Sequence, residues 1–360
     1  MRGAAIIFLV VIGDILQCHV SGFVVSHGYL ATPASRVQNQ AKAAETPAAS
    51  SRGAVKPKDI FPLEAGNMST MSPDATKVEI KSETKCFGGK LIRCTHQSGS
   101  TKTPMTFTVF LPPTATSDAP APALYYLSGL TCTDENFIQK AGAQRAAATR
   151  GIALIAPDTS PRGAGIAGED DNWDFGTGAG FYVDATEPAW ETNYRMYSYV
   201  TEELPAVVAA NFPVDTSRAS IFGHSMGGHG ALVVAFRNPS KFRSVSAFAP
   251  ISNPMECAWG KKAFSGYLGK NEDLWREYDA TELMRRKGPF PSLGKVLIDQ
   301  GSADNFLTDG QLMPEALVRA CELKRQAVEM RMQEGYNHSY FFMASFMDDH
   351  VNMHADRLLA

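Results

Sequence analysis

The stretch that decides the fold is Ser220-Ile221-Phe222-Gly223-His224-Ser225-Met226-Gly227-Gly228-His229-Gly230. An apolar run ends in a sharp turn with Ser225 at its apex, and a small-residue helix starts behind it. The pattern Gly223-x-Ser225-x-Gly227 is that of a nucleophile elbow, a strand-to-helix turn that lifts one serine hydroxyl out of the backbone. Its glycines answer a steric need, because the apex residue is strained and side chains beside it would collide across the turn. Five residues match by chance often enough that the surroundings must decide. They should supply a strand before, a helix after, and an acid and a histidine later in the chain.

Working outward, apolar runs alternate with helical patterns. Strands are expected over 105–111, 123–127, 151–156, 244–248, 295–299 and 328–333, with helices over 136–150, 191–210, 226–237, 314–324 and 339–358. Such alternation predicts a largely parallel central sheet with helices on both faces, the α/β class and, with the elbow, the α/β-hydrolase fold.

In that fold the order along the chain is Ser, acid, His. The strand 295–299 runs into Gln300-Gly301-Ser302-Ala303-Asp304, which places Asp304 just past a strand end, where Asp299 and Asp309 compete with it. Past Ser225 the histidines are His229, His338, His350 and His354. His338 lies in a loop between the last strand and the last helix, the position a general base needs. His229 on the elbow helix reads as packing, and His350 with His354, four apart in the final helix, as that helix's surface. Two backbone N–H groups should stabilise the developing oxyanion, one at Met226 and one in the Gly129-Leu130 loop, with Leu130 the candidate donor.

Composition narrows the alternatives. A net charge of −3 and the absence of a basic run with interleaved aromatics argue against nucleic acid as a partner. The six cysteines are scattered without a CxxC pair, which suggests neither a disulfide framework nor a zinc site. Gly163-x-Gly165-x-x-Gly168 imitates a dinucleotide fingerprint, but prolines separate it from the preceding strand and Glu169, Asp170 and Asp171 would repel a pyrophosphate.

The first seventy or so residues read differently. Ala4 to Ile12 is an apolar run suited to a signal peptide and too short to span a bilayer, and Val20-Ser21-Gly22 offers a cleavage site. Residues 23–72 are rich in Ala, Ser, Thr and Pro and poor in acids, as in an organelle transit peptide or a disordered linker. We therefore divide the chain into a signal-peptide-like segment (1–22), a transit-peptide-like or disordered presequence (23–72) and a catalytic domain (73–360). A bipartite plastid presequence is the expectation for location, with cytoplasmic or secreted forms as alternatives.

The chain also resembles the S-formylglutathione hydrolase (esterase D) family over residues 76–360. The resemblance is carried by Leu127-Ser128-Gly129-Leu130-Thr131-Cys132-Thr133, Ala156-Pro157-Asp158-Thr159-Ser160-Pro161-Arg162-Gly163, the run from Trp173 to Asp184, Asn193 to Tyr199, the elbow, and Trp259 to Gly269. It implies Ser225 as nucleophile, Asp304 as acid, His338 as base, and oxyanion donors at Leu130 and Met226. It further implies hydrolysis of S-formylglutathione to glutathione and formate, with small acyl esters also cleaved. A serine triad acting on a thioester calls for no cofactor or metal. The expected partner is this small substrate, with no nucleic acid, no membrane in the mature form, and a homodimer as the assembly to be tested.

Glutathione is anionic, so cations should stand near the pocket; Lys261, Lys262, Arg162 and Arg195 are candidates, with ion pairing or solvation as the alternative for each. Trp173 is a candidate wall of the acyl pocket, the alternative being core packing. Cys132 lies close enough to the oxyanion loop to be a redox-sensitive position. A general carboxylesterase or acyltransferase, and a non-catalytic binding protein on the same fold, are the other functional readings.

Overall fold

The computed structural model describes residues 76–360; the signal-peptide and transit-peptide expectations lie outside the described residues. A nine-stranded sheet runs through this region in the order β1-β2-β3-β5-β4-β6-β7-β8-β9. Strands β1 (Glu79–Cys86), β2 (Gly89–Gln97) and β3 (Pro104–Leu111) form an antiparallel meander, and β3 pairs antiparallel with β5 (Ala153–Pro157). From β5 onward the neighbours β4 (Ala121–Leu127), β6 (Val214–His224), β7 (Phe242–Phe248), β8 (Val296–Gly301) and β9 (Val328–Gln333) are all parallel. Every residue of β4, β5 and β8 is buried, as expected for strands covered on both faces. The largely parallel sheet with helices is thus observed, extended by the antiparallel strands β1 and β2, which the sequence reading did not include.

The helices follow from local chemistry. α1 (Asp134–Lys140) starts at a capping box formed by Thr133 and Asn136, and α2 (Gln144–Arg150) ends at Gly151 in the left-handed region. The single helix expected over 136–150 is broken between them, where Gly142 takes φ +76°. The helix expected over 191–210 begins only at α3 (Met196–Ser198), passes through a π-helical turn over Tyr199–Glu203, and ends in α4 (Leu204–Asn211). Glu203 explains why this segment is anchored: its carboxylate accepts from Ser98 Oγ at 2.8 Å and from the backbone N–H groups of Gly99 and Ser100. Next come α5 (Met226–Arg237), α6 (Ala258–Leu268), α7 (Glu272–Arg276), α8 (Ala280–Lys287), α9 (Asn305–Thr308), α10 (Pro314–Lys324) and α11 (Tyr340–Leu359). α6, α7 and α8 were not anticipated; each is capped by a side chain, from Cys257, Asn271 and Asp279 respectively.

One expectation fails outright. His350 and His354 are fully buried on the face of α11 that packs on the sheet. A polar chain runs from Asp299 Oδ2 to His350 Nε2 (3.1 Å), from His350 Nδ1 to Ser246 Oγ (2.8 Å), and on to His354 Nε2 (2.7 Å). It continues from His354 Nδ1 through Ser244 to Ser220 at 2.8 Å each. The i, i+4 spacing read as surface because small hydroxyl residues on β6 and β7 gave no hint that they would provide partners in the core.

Candidate active site

Ser225 sits at the C-terminal end of β6, in the middle of the parallel strands, with φ 58° and ψ −119°. An L-residue holds that conformation only when its surroundings dictate it. Here Ser225 N–H donates to Phe248 O (3.0 Å) and Ser225 O accepts from Ile251 N–H (3.2 Å) and His229 N–H (3.0 Å). The flanking glycines are obligatory: a Cβ on Gly223 would lie 2.2 Å from Gly227 O, and one on Gly227 only 1.9 Å from Leu127 O. The steric reason inferred for the elbow is therefore observed.

Asp304 and His338 arrive from the ends of β8 and β9. Asp304 is fully buried at the N-cap of α9, where its Oδ1 accepts from Phe306 N–H at 2.9 Å. Its Oδ2 lies 2.6 Å from His338 Nδ1. The His338 ring packs 4.4 Å, centroid to centroid, from His224, the residue before Ser225, and edge-on to Phe306 at 4.8 Å. Serine, acid and histidine thus all follow the C-terminal ends of parallel strands, β6, β8 and β9. Asp299 is taken out of contention, since its carboxylate is buried on Arg331 (2.5 and 2.6 Å), Gln333 and His350 rather than turned to its own loop. Burial pushes that carboxyl up, and the hydrogen bonds from His350 and Arg331 outweigh it, leaving it at about 2. Asp309 is exposed at the end of α9. His229 is buried with Nε2 on Phe181 O at 3.0 Å, a packing role as expected.

The loop after β4 presses on the elbow. A Cβ on Gly129 would lie 3.2 Å from Ser225 Cβ. Thr131, at φ +66°, donates its N–H to Gly178 O (2.9 Å), and Cys132 N–H bonds Gly129 O (3.3 Å). Among the described residues no hydrogen bond uses Leu130 N–H, and Met226 N–H opens α5, where the first turn leaves its donors free. The two expected oxyanion donors therefore flank Ser225 unspent.

The candidate cations each make an ion pair. Arg162 binds both oxygens of Asp158 (2.7 and 2.9 Å) and reaches Cys132 O at 3.2 Å, bracing the oxyanion loop. Lys262 pairs with Asp174, Lys261 with Glu256 at 3.6 Å, and Arg195 with Asp184 at 3.6 Å. Trp173 is 56% exposed, so it is no core residue. It stands edge-on to Trp259 (5.6 Å), which meets Phe306 (4.8 Å), and so joins the rim to His338 by an aromatic relay. Cys132 lies 3.7 Å from Tyr340 Oη, and burial pushes its thiol above the ordinary value.

Sequence reasoning passed over three residues here. His224 is buried with Nε2 unpartnered, and burial, with His338 beside it, holds it well below the usual imidazole range. Gln300 touches Asp304 (3.1 Å), and Phe306 packs on His338. The only signal available was adjacency, since each stands within four residues of Ser225 or Asp304.

Comparison with known proteins agrees with this geometry. The Esterase family model matches residues 98–353. The S-formylglutathione hydrolase of Rattus norvegicus is 59% identical over 280 residues, 78% of this chain and 98% of the relative. That of Arabidopsis thaliana is 53% identical over 276 residues, 76% and 96% of the two chains. The solved S-formylglutathione hydrolase of Agrobacterium tumefaciens superposes with a TM-score of 0.75 at 48% identity, covering 78% of this chain and 99% of that one. A ferulic acid esterase at 18% identity and TM-score 0.58 shares the fold. An elbow serine, a buried acid–imidazole pair beside it and these likenesses lead to one assignment: the chain belongs to the S-formylglutathione hydrolase (esterase D) family of α/β-hydrolases.

Proposed function

We propose that this chain hydrolyses S-formylglutathione to glutathione and formate through a formyl-enzyme on Ser225. The observation that carries the reading is the 2.6 Å contact of His338 with Asp304, with the His338 ring packed on His224 beside Ser225. A carboxylate only accepts, so the neutral imidazole must donate from Nδ1 and keep Nε2 as its acceptor. Nε2 takes the Ser225 proton as Oγ attacks the formyl carbon. The charge gathering on the formyl oxygen meets the N–H groups of Leu130 and Met226; one such donor is typically worth about 3 kcal/mol. Collapse expels the glutathione sulfur, which takes the proton from His338. Water, deprotonated by the same nitrogen, then releases formate and restores the serine.

The test is turnover of S-formylglutathione beside a simple aryl acetate, with Ser225→Ala as control. A clear preference for the thioester, abolished in the variant, is expected. Preference for the aryl ester would make the protein a general carboxylesterase, and hydrolysis surviving Ser225→Ala would refute the mechanism. Sedimentation of the purified chain reads whether it acts as the homodimer expected above. We also propose delivery to a plastid, on the apolar run followed by the acid-poor tract of residues 23–72; a fluorescent fusion of residues 1–72 that stays in the cytosol would rule this out.

A further inference from the structure

Gln300 is fully buried near the end of β8. Its Nε2 lies 3.1 Å from Asp304 Oδ2 and 3.2 Å from Gly301 O. Both neighbours can only accept, so the amide must turn its NH2 group to them and its carbonyl away. There Oε1 is buried without a hydrogen-bond partner. An orphaned buried acceptor destabilises a fold, and an apolar side chain of the same length would avoid it. A residue that breaks this rule beside a reactive pair points to a use for the other half of its amide.

We propose that Gln300 is a positioning residue for the acid–base pair, holding Asp304 Oδ2 and moderating its pull on the Nδ1 hydrogen of His338. The inference rests on the roles given to Asp304 and His338 above. Oδ2 is the oxygen that receives His338, while Oδ1 is fixed by Phe306 N–H. Each donor to a carboxylate stabilises its charge and lowers its basicity. Without Gln300, Oδ2 has His338 as its donor alone. It then pulls harder on Nδ1–H and favours the imidazolium, while the carboxylate loses a contact that fixes its orientation and, through it, the aim of the His338 ring. In the described contacts the titratable side chains against His338 are Asp304 and His224, and His224 stays neutral through burial.

The experiment uses the full chain with Gln300→Met, and with Gln300→Asn, whose amide is withdrawn by one methylene. For Gln300→Met, kcat on S-formylglutathione should fall about tenfold, the worth of one hydrogen bond, with KM little changed. The acidic limb of kcat/KM should move up by about half a pH unit, and the downfield Nδ1 proton of His338 should move further downfield. The melting temperature should hold or rise, because the orphaned carbonyl is gone. Gln300→Asn should shift the limb in the same direction, and decides by the same criterion if Gln300→Met does not fold. A wild-type rate and limb in Gln300→Met, or rate losses that merely track falling melting temperatures, would overturn the proposal. His338→Ala separates the two layers: if it still hydrolyses the thioester, the reading of the site fails. If it is inert while Gln300→Met behaves as wild type, this inference alone fails.

Discussion

His338 Nδ1 and Asp304 Oδ2 meet at 2.6 Å although they lie on different loops, one past β9 and the other past β8. Asp304→Asn isolates what that contact does. Asparagine keeps an oxygen for Phe306 N–H, so α9 remains capped, but it can offer an N–H to Nδ1 and favour the wrong tautomer. We expect kcat to fall by about 10⁴ with little change in melting temperature. Steady-state kinetics beside circular dichroism would check this; a loss under tenfold would remove Asp304 from the triad.

Gly227 admits no side chain. A methyl at 1.9 Å from Leu127 O must displace backbone from the strand that carries the oxyanion loop. Gly227→Ala should therefore lose more than about 3 kcal/mol of stability and most activity. Gly163→Ala is the comparison: nothing lies within 4 Å of its Cβ, and its φ of +69° is the only strain, so about 1 kcal/mol is expected. Urea titration of the two variants should separate them.

Four of the buried histidines, His224, His229, His350 and His354, make the fold sensitive to acid. Burial lowers His224 and His354 well below the ordinary value, His229 to about 4, and His350 as well. In the unfolded chain each takes up a proton below about pH 6.5. Stability is thus present above that pH and lost as the pH falls. For His229, at about 4 in the fold, the loss at pH 5 is about 2 kcal/mol, and His224 and His354 act in the same direction. Asp299, depressed to about 2, adds a further loss between pH 4 and 2. Chemical denaturation at pH 7.5 and pH 5 measures the difference; equal midpoints would contradict the buried neutral assignments.

Cys132 should be sluggish toward alkylation. Burial raises its thiol, and only the thiolate attacks. We expect iodoacetamide at pH 7.5 to label native Cys132 more slowly than the same residue in urea, read by peptide mass. Cys132→Ser should keep its activity, since the backbone of the loop is what the mechanism uses. Loss of activity in step with rapid labelling would make the thiol a reactive group instead.

Much of the parallel core was legible because periodicity and burial agree there: β4 and β5 are apolar along their whole length and could be little else. The meeting of Asp304 with His338 was legible because the order of elements is fixed by the fold. The β1–β2 hairpin was missed because β1 is nearly all exposed, Glu79-Ile80-Lys81-Ser82-Glu83, and owes its conformation to pairing rather than to an apolar face. For the cations the sequence left substrate contact and ion pairing both open. The ion-pair partners of Arg162, Lys261 and Lys262 were not legible, since only the fold brings Asp158, Glu256 and Asp174 to them. His350 and His354 show the same limit from the other side, their serine partner Ser246 lying more than a hundred residues away.

The arrival of Asp304 and His338 on the last two strands has a consequence for biosynthesis. Ser225 is made early, but the groups proposed to activate it, Asp304 and His338, follow β8 and β9 and reach it only when these strands add to the open edge of β7. A ribosome-bound or truncated chain carries a serine without its base. Hydrolytic activity therefore reports that translation has reached the far end of the chain and that the edge strand has docked.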